Sequence, residues 1–143
     1  MAVDVRRPRD EQEFAAALAL REEVFCGEQG VTLAGDRDGR DDEALHLVAL
    51  ADGVVVGTCR LLIEPGGTAK FGRLCVRASA RGAGVAAALL DAAEREARAA
   101  GARRIGMHAQ TDALRLYESA GYTPYGERFD DEGIEHLGME KQL

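Results

Sequence analysis

Between an apolar run and a helical one the chain reads RGAGVAAALL, residues 81 to 90, with Arg81, Gly82, Ala83, Gly84, Val85 and Ala86 forming a basic turn that opens a helix. The first turn of any helix offers backbone N–H groups that have no partner inside it, and the helix dipole favours negative charge there. Gly82 and Gly84 let the backbone approach a bulky anion because no side chain intervenes, and Arg81 adds a positive charge. That combination is suited to a phosphate or diphosphate. GAGVAA also matches the dinucleotide fingerprint GxGxxA. That motif, however, wants an acidic residue about 20 positions on, and Arg103 and Arg104 stand in that region. A P-loop is excluded by the absence of a following GK[ST]. The remaining pattern is RxxGxA, with Arg81, Gly84 and Ala86 in register.

The elements that hold this turn can be traced from pattern. VDVRRP reads as a short strand, and Asp10 with Glu13 three residues later is a capping-box start to a helix that carries Phe14, Ala17, Leu18, Val24 and Phe25 on one face. The segment from Gly27 to Asp42, rich in glycine and charge, reads as a loop or short irregular helix. ALHLVAL and VVVGTCRLLIE are strands joined at Asp52-Gly53, a hairpin signal, and TAKFGRLCVRA is a third strand after the turn at Pro65, Gly66 and Gly67. Beyond the glycine turn, Val85, Ala88, Leu89 and Ala92 recur at helical spacing until Gly101. RRIGMHAQ is the next strand, TDALRLYESAG a second helix behind the turn, and YTPYGERF with IEHLGMEKQL a final hairpin. This order predicts a single α/β domain over residues 1–143, a mixed, mostly antiparallel sheet with helices on both faces.

With LCV before the turn, an amphipathic helix and strand after it, and LYESAGY further on, the chain resembles the GNAT superfamily of N-acetyltransferases. REEVFCGEQGV, DGRDDEALHL, the HAQ of residues 108–110 and DEGIEHLGM resemble its ElaA-like branch. The resemblance implies that the glycine turn wraps the diphosphate of acetyl-coenzyme A. It implies that the strand at Leu74, Cys75 and Val76 splays from its neighbour, freeing backbone groups for the pantetheine arm and the thioester carbonyl. It implies that Tyr117 returns a proton to the departing thiolate. The asparagine that relatives often place before that last helix is replaced here by Gln110, followed by Thr111, and Gln110 is the expected contact to the pantetheine arm.

An alkylammonium acceptor must lose a proton before it attacks, so a base is required. The strand before the turn offers Phe71 and Arg73 where many relatives carry glutamate, so the base comes from elsewhere. Glu28 is the first candidate, with His46 and His136 behind it, and Glu28→Gln is expected to lower turnover while sparing donor affinity. His108 would orient Gln110. Cys75 lacks an evident activating base, which favours direct transfer over an acyl-enzyme. Asp38, Asp41 and His46 match no zinc or EF-hand spacing, so no metal is expected. The expected activity is transfer of an acetyl group to a primary amine of a small molecule or peptide. The alternative is a non-catalytic module that binds or senses acyl-coenzyme A, and a homodimer is compatible with either.

Composition sets the outer bounds. A net charge of −7 opposes nucleic acid as the main partner, and no apolar run approaches the roughly 20 residues of a membrane span. MAVDVRRPRDEQEF lacks the apolar core of a signal peptide, and the 3 cysteines have neither CxxC nor zinc spacing, so a cytoplasmic protein with free thiols is expected. Charge is segregated. No acidic residue lies between Pro65 and Leu90, whereas Glu28, Asp36, Asp38, Asp41, Asp42 and Glu43 crowd one segment, which is expected to attract a cationic acceptor.

Overall fold

In a computed structural model, which describes residues 2–143, one seven-stranded sheet runs through the molecule in the order β1-β2-β3-β4-β5-β7-β6. The strands are β1 Asp4–Arg6, β2 Leu45–Ala51, β3 Val54–Glu64, β4 Thr68–Val76, β5 Arg104–Gln110, β6 Thr123–Asp131 and β7 Ile134–Gln142. Helices α1 Glu11–Arg21, α2 Leu33–Asp36, α3 Val85–Ala99 and α4 Leu114–Ser119 complete the chain, and a π-helical turn at Glu22–Glu28 prolongs α1. The expected single α/β domain and its element order are therefore observed.

Local chemistry accounts for the boundaries. Asp10 accepts a hydrogen bond from the Glu13 N–H at 2.8 Å, capping α1, while Glu13 reaches back past the cap to the Arg9 N–H, also at 2.8 Å. Asp52 and Gly53 both take positive φ, 49° and 77°, as a two-residue hairpin between right-twisted strands demands. Gly101 and Gly121 close α3 and α4 in the left-handed region at 83° and 94°.

Two apolar layers flank the sheet. On one side α3 lays Val85, Leu89, Leu90, Ala93 and Ala97 over Leu47, Ala49, Leu61 and Ile105. Gly57 makes this close approach possible: a Cβ there would come within 2.9 Å of Val85 Cγ1 and 3.0 Å of Leu89 Cδ1. On the other side Ala17, Leu20, Val24 and Phe25 pack on Val48, Leu50, Val55 and Cys75. The buried face of α1 thus includes Leu20 and Arg21, while Phe14 and Leu18, expected in the core, are only half-buried. A simple 3.6-residue count could not foresee a buried arginine, nor the change of phase at the π-turn.

The sheet's one parallel pair among the described residues is the feature that makes a site. β4 pairs with β5 only at Thr68–Arg104, Ala69–Ile105 and Lys70–Gly106. Beyond Lys70 the two strands part. On its other edge β4 stays paired with β3 to Val76, with a bulge that opposes Arg73 and Leu74 to Cys59 alone, and Arg73 adopts φ +54°. The bulge turns β4 away from β5 at the place where the cleft opens.

Candidate active site

The parted strands bound a cavity of about 620 Å³, lined among others by Phe71, Leu74, His108, Gln110, Tyr117 and His136. Leu74 is the last residue of β4 to line it; Cys75, Val76 and the glycine turn do not, and the chain leaves β4 through residues 77–84. The Arg77 N–H is bonded to Val56 O at 2.7 Å, so alternation along the strand turns the amide and carbonyl of Val76 away from β3, to the open side. Gly82 and Gly84 both hold positive φ, 79° and 81°, and a Cβ on either would meet no atom within 4 Å. Glycine is required there by conformation, and the space above it is open. Within this stretch the amides of Ala80 and Arg81 bond the carbonyls of Arg77 and Ala78, at 2.9 and 3.3 Å, and the next amide to find a carbonyl is that of Ala88, bonded to Gly84 O at 3.1 Å. Those of Gly82 through Ala87 have no backbone partner among the described residues. A row of free amides at a helix start, with no side chain in front of it, fits a diphosphate.

Tyr117 is 6% exposed, and its ring is fixed edge-on by Phe71 of β4 and by Tyr122, with centroids 6.3 and 5.9 Å away. Burial, with the Cys59 thiol nearby, pushes its phenol well above the ordinary value, so it remains a proton carrier at neutral pH. Cys75 is buried, and its thiol is pushed up to about 12, chiefly by burial. A thiol held protonated in this way is a poor nucleophile.

The three candidate bases are not gathered in one place. His136 lines the cavity; its Nδ1 lies 2.7 Å from Ile134 O, a carbonyl that can only accept, so Nδ1 carries the proton and Nε2 keeps a free lone pair. The imidazole stacks on Phe129, 5.7 Å between centroids, and His108 meets the same ring edge-on at 5.1 Å. His46 lies elsewhere, against Phe14 at 4.7 Å, with Nε2 donating to Asp41 O at 2.8 Å. Glu28 does not line the cavity; its carboxylate accepts from Arg81 Nη2 at 2.7 Å. Gln110 donates to Gln29 at 2.8 Å, not to the expected His108. Gln29 and Phe129 were overlooked in the sequence. Gln29 stood next to a candidate already chosen, whereas Phe129 is brought to the histidines only by pairing of β6 with β7.

The acidic segment proves to be engaged internally. Arg21, with its side chain 2% exposed, bonds Asp41 at 2.8 Å and Asp36 at 3.2 Å. Arg60 grips Asp38 through two bonds of 2.8 and 2.6 Å, and Arg73 at the bulge reaches Asp36 at 3.2 Å. Asp36, Asp38 and Asp41 are thus neutralised by cations from α1, β3 and β4, which corrects the expectation that they would draw a cationic acceptor. The network also ties the β4 bulge to α1. Among the described residues no cluster of three His, Cys, Asp or Glu is arranged to hold a metal, and no helix is long and apolar enough to cross a membrane.

The chain belongs to the GNAT acetyltransferase family: the model described as "Acetyltransferase (GNAT) domain" matches residues 10–143. It is an N-acetyltransferase of that class. It is 36% identical over 134 residues to YjcF of Bacillus subtilis, named an uncharacterized N-acetyltransferase, covering 93% of this chain and 95% of that one. Among solved structures, an acyl-CoA N-acyltransferase from Pseudomonas aeruginosa superposes with a TM-score of 0.83 at 28% identity, covering 98% of both chains. Escherichia coli ElaA superposes with a TM-score of 0.85 at 23% identity, again over 98% of both, which shows the shared fold. An aminoglycoside 6'-N-acetyltransferase complexed with coenzyme A shares the fold at a TM-score of 0.77 and 13% identity, covering 97% of this chain and 96% of that one.

Proposed function

We propose that this protein transfers the acetyl group of acetyl-coenzyme A to a primary amine of a small molecule or peptide, by direct attack in a ternary complex. The observation that carries the reading is the parting of β4 from β5 after Lys70, which opens a cavity lined by Tyr117 and His136, together with the free amides of Gly82–Ala87 where the chain continues from β4 into α3. A protein sharing this fold is complexed with coenzyme A, which supports acetyl-coenzyme A as the donor.

In this reading the amides from Gly82 to Ala87 hold the diphosphate, and the open edge of β4 at Leu74, Cys75 and Val76 lies along the pantetheine arm. An N–H of that edge, directed at the thioester oxygen, stabilises the negative charge that develops there, an effect worth about 3–4 kcal/mol when such a donor is preorganised. His136 removes the acceptor's proton through Nε2, with its ring held by Ile134 O and Phe129. Tyr117, kept protonated by burial, gives its proton to the departing sulfur. The thiol of Cys75 takes no covalent part.

Thiol release from acetyl-coenzyme A, measured against a panel of amines, tests the reading. Turnover with at least one amine, reduced about 10²- to 10⁴-fold by Tyr117→Phe at unchanged donor affinity, is expected for loss of a general acid. Tight donor binding without thiol release with any amine would favour a sensing module instead.

A further inference from the structure

Glu28 and Gln29 are adjacent in the chain yet bind opposite lips of the cleft. Glu28 takes Arg81 Nη2 on the α3 side at 2.7 Å, and Gln29 takes Gln110 Nε2 at the end of β5 at 2.8 Å. Arg81 is held a second time, its Nε donating to the open-side carbonyl of Val76 at 2.9 Å. Its guanidinium is therefore a crosspiece between the π-turn, the end of β4 and the glycine turn, with Nη1 left without a partner among the described residues.

The dipeptide itself is firmly seated. Gln29 N–H bonds Val24 O at 3.1 Å and Val31 N–H bonds Phe25 O at 2.8 Å, wide bonds that swell the helix end and swing residues 28 and 29 outward. Val24 and Phe25, 3% and 9% exposed, anchor that end in the core.

We infer that Glu28 and Gln29 form a positioning clasp for the donor site: Glu28 orients Arg81 and with it the glycine turn, and Gln29 orients Gln110, so that the two lips are held at a set separation. This rests on the acetyl-coenzyme A reading and assigns Glu28 a role other than that of base. A base would need to face the acceptor, whereas this carboxylate spends its charge on the arginine beside the diphosphate turn.

The test pairs calorimetric binding of coenzyme A with steady-state kinetics in both substrates. Glu28→Gln should raise the coenzyme Kd and the acetyl-coenzyme A KM about three- to fivefold, the scale of a half-exposed ion pair, with kcat within about twofold of the parent. Arg81→Gln should do the same, and the double variant should be no worse than Arg81→Gln alone. Gln29→Ala should also raise KM with little change in kcat. Should Glu28→Gln fold poorly in a thermal melt, Arg81→Lys, which keeps the charge but loses the fork, carries the same expectation. A collapse of kcat at unchanged KM would make Glu28 a base. A fall in KM would make it an anion competing with the diphosphate. Fully additive variants would show that the pair does not act as a unit. Each of these overturns the clasp. If the parent protein itself fails to bind coenzyme A, the donor site falls and the clasp with it; if the parent binds and the variants bind equally well, only the clasp falls.

Discussion

At the scale of single residues, the chemistry depends on which groups are free to act and which are already engaged. Sequence alone placed Glu28 first and His46 and His136 behind it, all three in distinctive stretches; the fold pairs Glu28 with an arginine and sets His136 in the lining of the cavity, and we therefore propose His136 as the base. The consequence is measurable. His136→Gln should lower kcat about 10²- to 10⁴-fold, the usual span for a positioned base, with coenzyme A affinity within about twofold of the parent by calorimetry. His46→Gln, remote from the cavity, should leave kcat nearly unchanged, and a comparable loss in that variant would remove His136 from its role. For Cys75, a thiol pushed up to about 12 remains protonated at neutral pH. Cys75→Ala should therefore keep kcat within a few-fold of the parent, at a stability cost of about 1–2 kcal/mol for the lost buried sulfur. Quenched turnover mixtures should show no acetylated protein by mass spectrometry, and trapping of an acetyl group on Cys75 would refute direct transfer.

At the scale of elements, the proposed donor site depends on the contact between α3 and β3, because that contact aims the free amides. Gly57 sits beneath the first turn of α3, and a methyl group there would press on Val85 and Leu89. Gly57→Ala should destabilise by about 1–3 kcal/mol through overpacking and should also weaken coenzyme A binding, since α3 can yield only by lifting its N-terminus. Gly72→Ala meets open space and should leave the melting temperature close to that of the parent, so a differential scan of the two variants separates crowding from mere loss of a glycine. These elements were largely legible in advance. Alternation, the Asp52-Gly53 turn and the glycines ending α3 and α4 are local signals, and the strands and helices that they predicted lie where expected. What could not be read locally is what two distant stretches do to each other. The bulge at Arg73 is set by arginine–carboxylate pairing across more than 30 residues, and the π-turn has no periodicity of its own to betray it. The splay of β4 was expected from the family resemblance, but Gln29 comes to line the cavity, and Phe129 to stack on His136, only through tertiary contact.

For the whole molecule, the segregation of charge along the chain is an assembly device. The acidic stretch around Asp36–Asp41 meets Arg21, Arg60 and Arg73 from three separate elements, and the ion network joins α1 to the strand whose departure from β5 opens the cleft. Such a network is costly to desolvate and costlier to break, so it should govern the response to acid. Hydrogen bonds from Arg60 hold the Asp38 carboxyl well below the ordinary carboxylate range, against the opposing effect of burial. For Asp41 burial pushes upward, but Arg21 and Arg60 outweigh it and the net direction is down. Groups depressed in the folded state add stability that is fully present above the unfolded-state value, about 3.9 for aspartate, and that is lost as pH falls toward the folded values. The melting temperature should therefore be insensitive to these groups between about pH 8 and pH 5 and should drop steeply below about pH 4. Replacing Asp41 by Asn should lower the neutral-pH melting temperature, because Arg21 is left buried with half its partners, and should flatten the acid decline, because one of the linked carboxyls is gone. Thermal melts of both proteins from pH 3 to pH 8 decide it: an acid limb of equal steepness in the variant would mean that the network does not control acid unfolding. Because the same network holds the Arg73 bulge, coenzyme A affinity should fall along with stability as the network protonates.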